Sequence, residues 1–243
     1  MLREELIDCC KALRLSRTLV DNSERVDAQT NQAYLLELLQ LEIAHREKSK
    51  RDRLVKNAGF YSRKSFDDYR FDEVKLPAGV TPEYLKHTRF IDEQKNLILY
   101  GSVGTGKTHL AIAAGIVACQ RGLSVGFYRT ANLVNQLADA KQNGKLSKLL
   151  HTLKKLDLLI CDEWGYVPMD REAAQLLFQV ISDSYERRSV ILTTNLEFSR
   201  WVSIFYDEQM TAAIIDRLVH HSYLLLYDGP SNRMRGSLMR QGG

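Results

Sequence analysis

Leu97-Ile98-Leu99-Tyr100-Gly101-Ser102-Val103-Gly104-Thr105-Gly106-Lys107-Thr108 decides the fold of this chain. A short apolar run leads straight into G-x-x-x-x-G-K-T, and a helical pattern from His109 to Arg121 follows. Strand, glycine loop and helix in that order are the context this motif requires to cradle phosphates. The glycines let backbone N–H groups turn inward, and the helix N-terminus adds a positive dipole. Lys107 then reaches the β- and γ-phosphates and Thr108 ligates Mg2+. Gly101, Ser102, Val103, Gly104, Thr105 and Gly106, with Lys107 and Thr108, are therefore candidate nucleotide-binding residues. The bland alternative is a glycine turn that fits by chance, but no position of the motif is substituted.

Working outward, short apolar runs alternate with longer helical patterns from Asn96 onward. Leu97–Tyr100, Ser124–Tyr128, Leu156–Cys161, Val190–Thr194 and Tyr223–Tyr227 read as strands. His109–Arg121, Ala131–Lys141, Arg171–Glu186 and Gln209–Val219 carry the helical spacing that covers both faces. This alternation predicts an α/β fold with a parallel five-stranded sheet. Between Thr108 and Asp162 there is room for helix, strand and helix before the next strand.

That strand ends in Asp162-Glu163. A buried strand ending in a carboxylate suits Asp162 to hold the magnesium ion through water, together with Thr108. Glu163 is placed to polarise an attacking water, which separates a hydrolase from a nucleotide kinase. Its alternative role is to cap the next loop. The strand ending at Thr194 is followed by Asn195, an amide able to orient that water or simply a turn residue. Arg217 comes just before the last strand, where it either completes a neighbouring subunit's ATP site or makes a surface salt bridge. Lys107, Glu163, Asn195 and Arg217 are the candidate catalytic residues.

The first sixty residues hold neither proline nor glycine before Gly59, and apolar residues recur at helical spacing. Leu2, Leu6, Cys9, Cys10 and Leu13 form one stripe; Tyr34, Leu35, Leu38, Leu39 and Leu41 open a longer helix that stops at Asn57-Ala58-Gly59. Between Ala44 and Lys64 eight bases face two acids, Glu47 and Asp52. Such a helix is usually a solvated face, but in a DNA-acting protein Arg46, Lys50, Arg53 and Lys56 become candidate phosphate contacts. Phe60–Val80 reads as a linker, and Thr81-Pro82-Glu83 as a helix start with Thr81 as N-cap. The expected organisation is a helical domain over 1–60, a linker and adenine-side segment over 61–95, and the α/β core over 96–243.

Composition excludes several classes. With 243 residues, 44% of them hydrophobic and 26% charged, and only 14 Gly and 4 Pro, the chain is neither collagenous nor low in complexity. The longest nearly apolar stretch, Ala111–Cys119, is about half the length of a membrane span, and no apolar run follows Met1-Leu2-Arg3-Glu4-Glu5. A cytoplasmic protein with no membrane partner is expected. Cys9, Cys10, Cys119 and Cys161 match neither a zinc motif nor a disulfide framework and read as reduced thiols. A net charge of +4 names no partner. His220-His221 lack carboxylates or cysteines at ligand spacing and read as a solvated helix end, not a metal site. Tyr69 and Phe71 either flank an adenine or pack on the core.

Loop, acidic pair, polar strand end and late arginine together resemble the AAA+ class of ATPases. Arg53-Leu54-Val55-Lys56-Asn57-Ala58-Gly59-Phe60, Lys64-Ser65-Phe66-Asp67-Asp68-Tyr69, Leu99 to Leu110, Asp162-Glu163-Trp164-Gly165-Tyr166 and Ile215-Asp216-Arg217-Leu218 narrow the resemblance to IstB-like insertion-sequence ATP-binding proteins, relatives of DnaC-type helicase loaders. The resemblance implies an AAA+ P-loop NTPase core and an ATP-hydrolysing transposition helper with ATP and Mg2+ as cofactors. Its implied partners are double-stranded DNA, a cognate transposase and further copies of itself, with ATP sites at subunit interfaces. It also carries His109 and Arg233 into the nucleotide site. Ser231-Asn232-Arg233 resembles the family's Ser-Tyr-Arg motif with Asn232 in place of Tyr, which weakens the assignment of Arg233. Sixteen residues follow Tyr227, so no large C-terminal lid is expected. The alternatives are a replicative helicase loader, recognisable from a replication gene neighbourhood and not a transposase frame upstream, and a small-metabolite kinase. The kinase is disfavoured because Glu163 and Asn195 suggest water as acceptor.

Overall fold

The computed structural model describes residues 2–165, 169–205 and 207–232. Contacts divide the chain into two compact units, Met1–Arg53 and Leu54–Gly243, with the division falling inside a long helix.

The first unit is helical. Helices α1 (Leu2–Ala12) and α2 (Arg17–Ser23) precede α3 (Asn31–Asn57). Its apolar core is small: Cys10, Val20 and Leu38 are buried, whereas Leu2, Leu6 and Leu13 of the α1 stripe are exposed. A buried carboxylate takes part of the core's place. Glu42 is only 4% exposed and accepts hydrogen bonds from the Ser16 amide at 2.9 Å, from Arg46 Nε at 2.7 Å and from the Ser16 hydroxyl. Burial alone pushes the Glu42 carboxyl up, but the Ser16 hydroxyl and Arg46 outweigh it and hold it below the usual carboxylate value.

In the second unit, α4 (Pro82–Lys86) and α5 (Arg89–Asp92) lead into β1 (Asn96–Gly101) and α6 (Lys107–Gln120). Then follow β2 (Val125–Arg129), α7 (Thr130–Gln142), α8 (Leu146–Lys154), β3 (Leu158–Asp162), α9 (Arg171–Ser184), β4 (Ser189–Thr194), α10 (Val202–Phe205), α11 (Glu208–Val219) and β5 (Ser222–Tyr227). All five expected strands form, displaced by a residue or two at their starts. Thr81 caps α4 as expected, its hydroxyl accepting from the Tyr84 amide at 3.1 Å. Helix α8 was not anticipated among the sequence-based elements.

The sheet is parallel throughout, in the order β2-β3-β4-β1-β5. Side chains alternate across it, because successive residues of a strand point to opposite faces. Leu158 and Ile160 join α6 and the segment before β1 on one face; Leu159 and Cys161 join α7–α11 on the other. Both faces are covered, which is why these strands read as continuous apolar runs.

Helix α6 is buried along most of its length and is rich in alanine and glycine, so it lies close to the sheet. A Cβ on Gly115 would come within 2.7 Å of the Phe60 ring and 2.9 Å of Ile160 Cδ1. Gly115→Leu should therefore destabilise the chain by about 2–3 kcal/mol through overpacking, despite the better helix propensity of leucine. A denaturant midpoint equal to the parent's would show that the helix can move outward at no cost.

Candidate functional site

In an open α/β sheet, ligands bind beyond the carboxyl ends of the strands, where connections leave in opposite directions. Here the chain leaves β1 for β2 at one edge and leaves β4 for β5 on the other side of β1. At that end lies a cavity of about 410 Å³ lined by Gly104, Gly106, Lys107, Thr108, Glu163 and Asn195 together with Tyr61, Lys64, Val103, His109, Ile112, Thr193, Thr194 and Asn232. Three sequence-distant candidates, the phosphate loop, Glu163 and Asn195, thus meet in one cavity.

The loop has the backbone its glycines permit. Gly101, Gly104 and Gly106 have φ of 146°, 84° and 100°, values that side chains rarely adopt, and Gly106 is the residue before α6. Lys107 Nζ donates to the carbonyls of Gly101 at 2.7 Å and Ser102 at 2.6 Å, so its ammonium lies over the loop. The Asn232 amide donates to the Gly104 carbonyl at 2.9 Å, which brings the start of the expected Ser-Asn-Arg segment onto the loop. Arg233 lies outside the described residues, as does Tyr166.

Asp162 closes β3 and is 1% exposed. One of its carboxylate oxygens, Oδ1, accepts from Thr108 Oγ1 at 2.9 Å and from Thr193 Oγ1 at 2.6 Å. Cys161 pairs with Leu192 across β3 and β4, and this register sets Asp162 beside Thr193. A threonine hydroxyl and a carboxylate in contact are the hard oxygen donors that suit Mg2+, so Thr108 and Asp162 fit the ion that the sequence implies.

Glu163 follows in the left-handed region, φ 58°, which costs a non-glycine residue about 1–3 kcal/mol and persists only where its surroundings impose it. Thr193 imposes it. Its Oγ1 accepts the Glu163 amide at 3.0 Å and its carbonyl accepts the Trp164 amide at 2.8 Å, while Trp164 itself is fully buried. The turn aims the half-exposed Glu163 side chain at the cavity, with Arg129 Nε 3.7 Å from Oε2. Arg129 ends β2 in register with Asp162, and its guanidinium lies over the Tyr61 ring at 5.1 Å.

Thr193, Arg129, Tyr61 and Lys64 were not singled out as site residues from the sequence. The polar Thr193-Thr194 at the end of an apolar strand was the available signal for the first; only strand register reveals Arg129. Tyr69 and Phe71 do not line the cavity. Their rings pack together, 4.8 Å apart, with Phe66 against the α6 side of the core. Tyr69 OH donates to Tyr227 OH at 3.0 Å, and burial pushes both phenols well above their ordinary values. His109 Nε2 lies 2.8 Å from the Ser65 carbonyl and its ring 5.2 Å from Tyr69, which ties the linker to the start of α6.

Arg217 is not in this cavity. It donates to the Ala213 carbonyl at 3.0 Å and lies over the Phe178 ring at 5.1 Å, on the surface formed by α9 and α11. In the first unit, Arg46, Lys50 and Arg53 line a shallow depression with Arg14, Ser16 and His45, and Arg46 also donates to the Arg14 carbonyl. Lys56 is exposed farther along α3.

Residues 10–239 match the family described as IstB-like ATP binding protein. The chain is 36% identical over 208 residues to the IS232 putative ATP-binding protein of Bacillus thuringiensis subsp. berliner, covering 85% of this chain and 83% of that one. Identity is 37% to the corresponding IS5376 protein of Geobacillus stearothermophilus, covering 86% and 83%. Among solved structures, the DnaC helicase loader superposes with a TM-score of 0.53 at 25% identity, over 68% of this chain and 96% of that one. DnaA from Aquifex aeolicus, bound to AMPPCP, gives a TM-score of 0.56 at 18% identity over 73% and 54%, a likeness of fold alone. The fold is that of an AAA+ P-loop protein, and the chain belongs to the IstB-like ATP-binding protein family of insertion sequences.

Proposed function

We propose that this protein is an ATP-hydrolysing transposition helper that assembles on double-stranded DNA and recruits or stimulates a partner transposase. The observation that carries the reading is the convergence of the phosphate loop, Asp162 and Glu163 on one cavity in a chain of this family. In this reading the loop amides and Lys107 hold the β- and γ-phosphates, and Lys107 exchanges its loop carbonyls for phosphate oxygens. Thr108 and Asp162 would hold Mg2+, which when bound neutralises charge between those phosphates. Glu163 takes the proton of the attacking water, Asn195 orients that water, and Arg217 of a neighbouring copy stabilises the charge that develops. Homologue names place such proteins in insertion sequences, which favours a transposase as partner over the helicase of a DnaC-type loader.

DNA contact rests on the basic end of α3, and the structure dictates how to test it. Arg46 neutralises buried Glu42, so removing it would also leave a buried charge without its partner. Lys50, Arg53 and Lys56 are exposed and free of that complication. Changing these three to alanine should weaken binding to unrelated duplexes alike and lower the slope of log affinity against log salt by up to about three, one phosphate contact each. The readout is fluorescence anisotropy with a slowly hydrolysed ATP analogue. An unchanged slope would move DNA contact elsewhere, and loss confined to transposase binding would make the segment a docking element.

A further inference from the structure

Glu186, His220 and His221 converge at the end of the sheet opposite the phosphate loop. Glu186 sits in the turn from α9 into β4, and the histidines form the turn from α11 into β5. Since β4 and β5 flank β1, both turns meet beside Lys95, the residue before β1. The case against these histidines from sequence spacing concerned near neighbours only; the tertiary fold supplies the carboxylate.

The three residues present ligand atoms that all lie within 4.8 Å of one another. His221 Nε2 is 3.1 Å from Glu186 Oε1, and the two imidazole rings are 4.2 Å apart. Lys95 Nζ lies 3.4 Å from His221 Nδ1. An ammonium only donates, so Nδ1 is the acceptor and the neutral ring carries its proton on Nε2, facing the carboxylate. The Tyr185 hydroxyl lies 2.9 Å from His220 Nδ1, which leaves Nε2 of that ring as its ligand atom.

We propose that Glu186, His220 and His221 form a binding site for one divalent transition-metal ion of the zinc type. Two imidazoles and one carboxylate suit zinc, cobalt or nickel and not the hard ions Mg2+ and Ca2+. Metal bonds of about 2.0–2.1 Å set tetrahedral ligand atoms about 3.3 Å apart. The His221–Glu186 pair, at 3.1 Å, is already near that spacing, and exposed His220, whose ligand atom lies within 4.8 Å of the other two, joins it by a side-chain rotation that moves this atom by up to about 1.5 Å. On binding, the His221 proton moves by way of solvent from Nε2 to Nδ1, the Lys95 ammonium gives up its hydrogen bond to Nδ1, Nε2 holds the ion as a neutral imidazole, and water fills the remaining coordination position. The Lys95 ammonium repels a dication and makes the site weaker than a closed structural zinc site. Occupancy joins the ends of α9 and α11, the two helices that carry Phe178 and Arg217.

The full chain, stripped with a chelator and dialysed, is titrated with zinc chloride by calorimetry in excess Mg2+, which occupies hard-oxygen sites. One zinc per chain is expected. Glu186→Gln and His220→Gln should each weaken it about tenfold or more, as loss of a ligand requires, while far-ultraviolet circular dichroism stays at the parental signal. Lys95→Gln should bind zinc several-fold more tightly, because repulsion is removed; a merely structural lysine would not produce that gain. Absence of saturable zinc binding, or binding that neither Glu186→Gln nor His220→Gln alters, overturns the proposal. None of these measurements depends on ATP, DNA or transposase.

Discussion

Glu163→Gln should bind ATP with parental affinity yet hydrolyse it about 10²–10⁴-fold more slowly, the usual worth of a positioned general base. Glutamine keeps the size of the side chain and the backbone amide that Thr193 captures, so the turn survives the change. The ion pair to Arg129 is lost, but both side chains are half exposed and the pair contributes little to stability. Lys107→Ala is the necessary contrast: it removes the ammonium from the loop and should abolish nucleotide binding, with hydrolysis falling only as a consequence. Fluorescent-nucleotide titration and phosphate release under single-turnover conditions separate the two. Parental hydrolysis by Glu163→Gln would remove this carboxylate from the chemistry and point to another residue of the cavity.

Arg217→Ala should leave ATP binding to an isolated subunit unchanged and depress hydrolysis by the assembly about 10³–10⁵-fold, the range for an arginine supplied in trans. Within its own chain the guanidinium lies over Phe178 and bonds only a carbonyl of its own helix among the described residues. Losing a half-buried cation–π contact of that kind costs about 0.5–2 kcal/mol, too little to unfold the chain. Mixed assemblies provide the test. Subunits with Arg217→Ala keep an intact phosphate loop, and subunits with Lys107→Ala keep an intact arginine, so mixing should restore part of the activity. No recovery at any ratio, with co-assembly verified, would assign Arg217 to packing on α9.

Where the chain writes its structure locally, the sequence was sufficient. Strands buried on both faces are apolar along most of their length, so Leu97–Tyr100 and Val190–Thr194 were legible without partners. The phosphate loop was legible for a different reason: glycines are needed where φ is positive, and lysine and threonine follow at the one place where α6 begins. The acidic pair was visible because a carboxylate rarely ends a buried strand without work to do.

What depends on distance along the chain was not legible. Nothing local says that β4 lies between β3 and β1, yet that order puts Thr193 against Asp162 and lets one threonine hold both the carboxylate and the Glu163 turn. Register across β2 and β3, not spacing, sets Arg129 beside Asp162 and within reach of Glu163. Nothing local sets Glu42 apart from the other acids of α3; only the fold closes Ser16 and Arg46 around it. Glu186 and His221 stand 35 positions apart and meet only because β4 and β5 begin on either side of β1. Local sequence determined the parallel α/β core and its phosphate loop, because burial and backbone conformation act residue by residue. Tertiary structure alone decided which polar groups share a site, because hydrogen bonds and metal ligands are satisfied by whatever the strand order and register bring within about 3 Å.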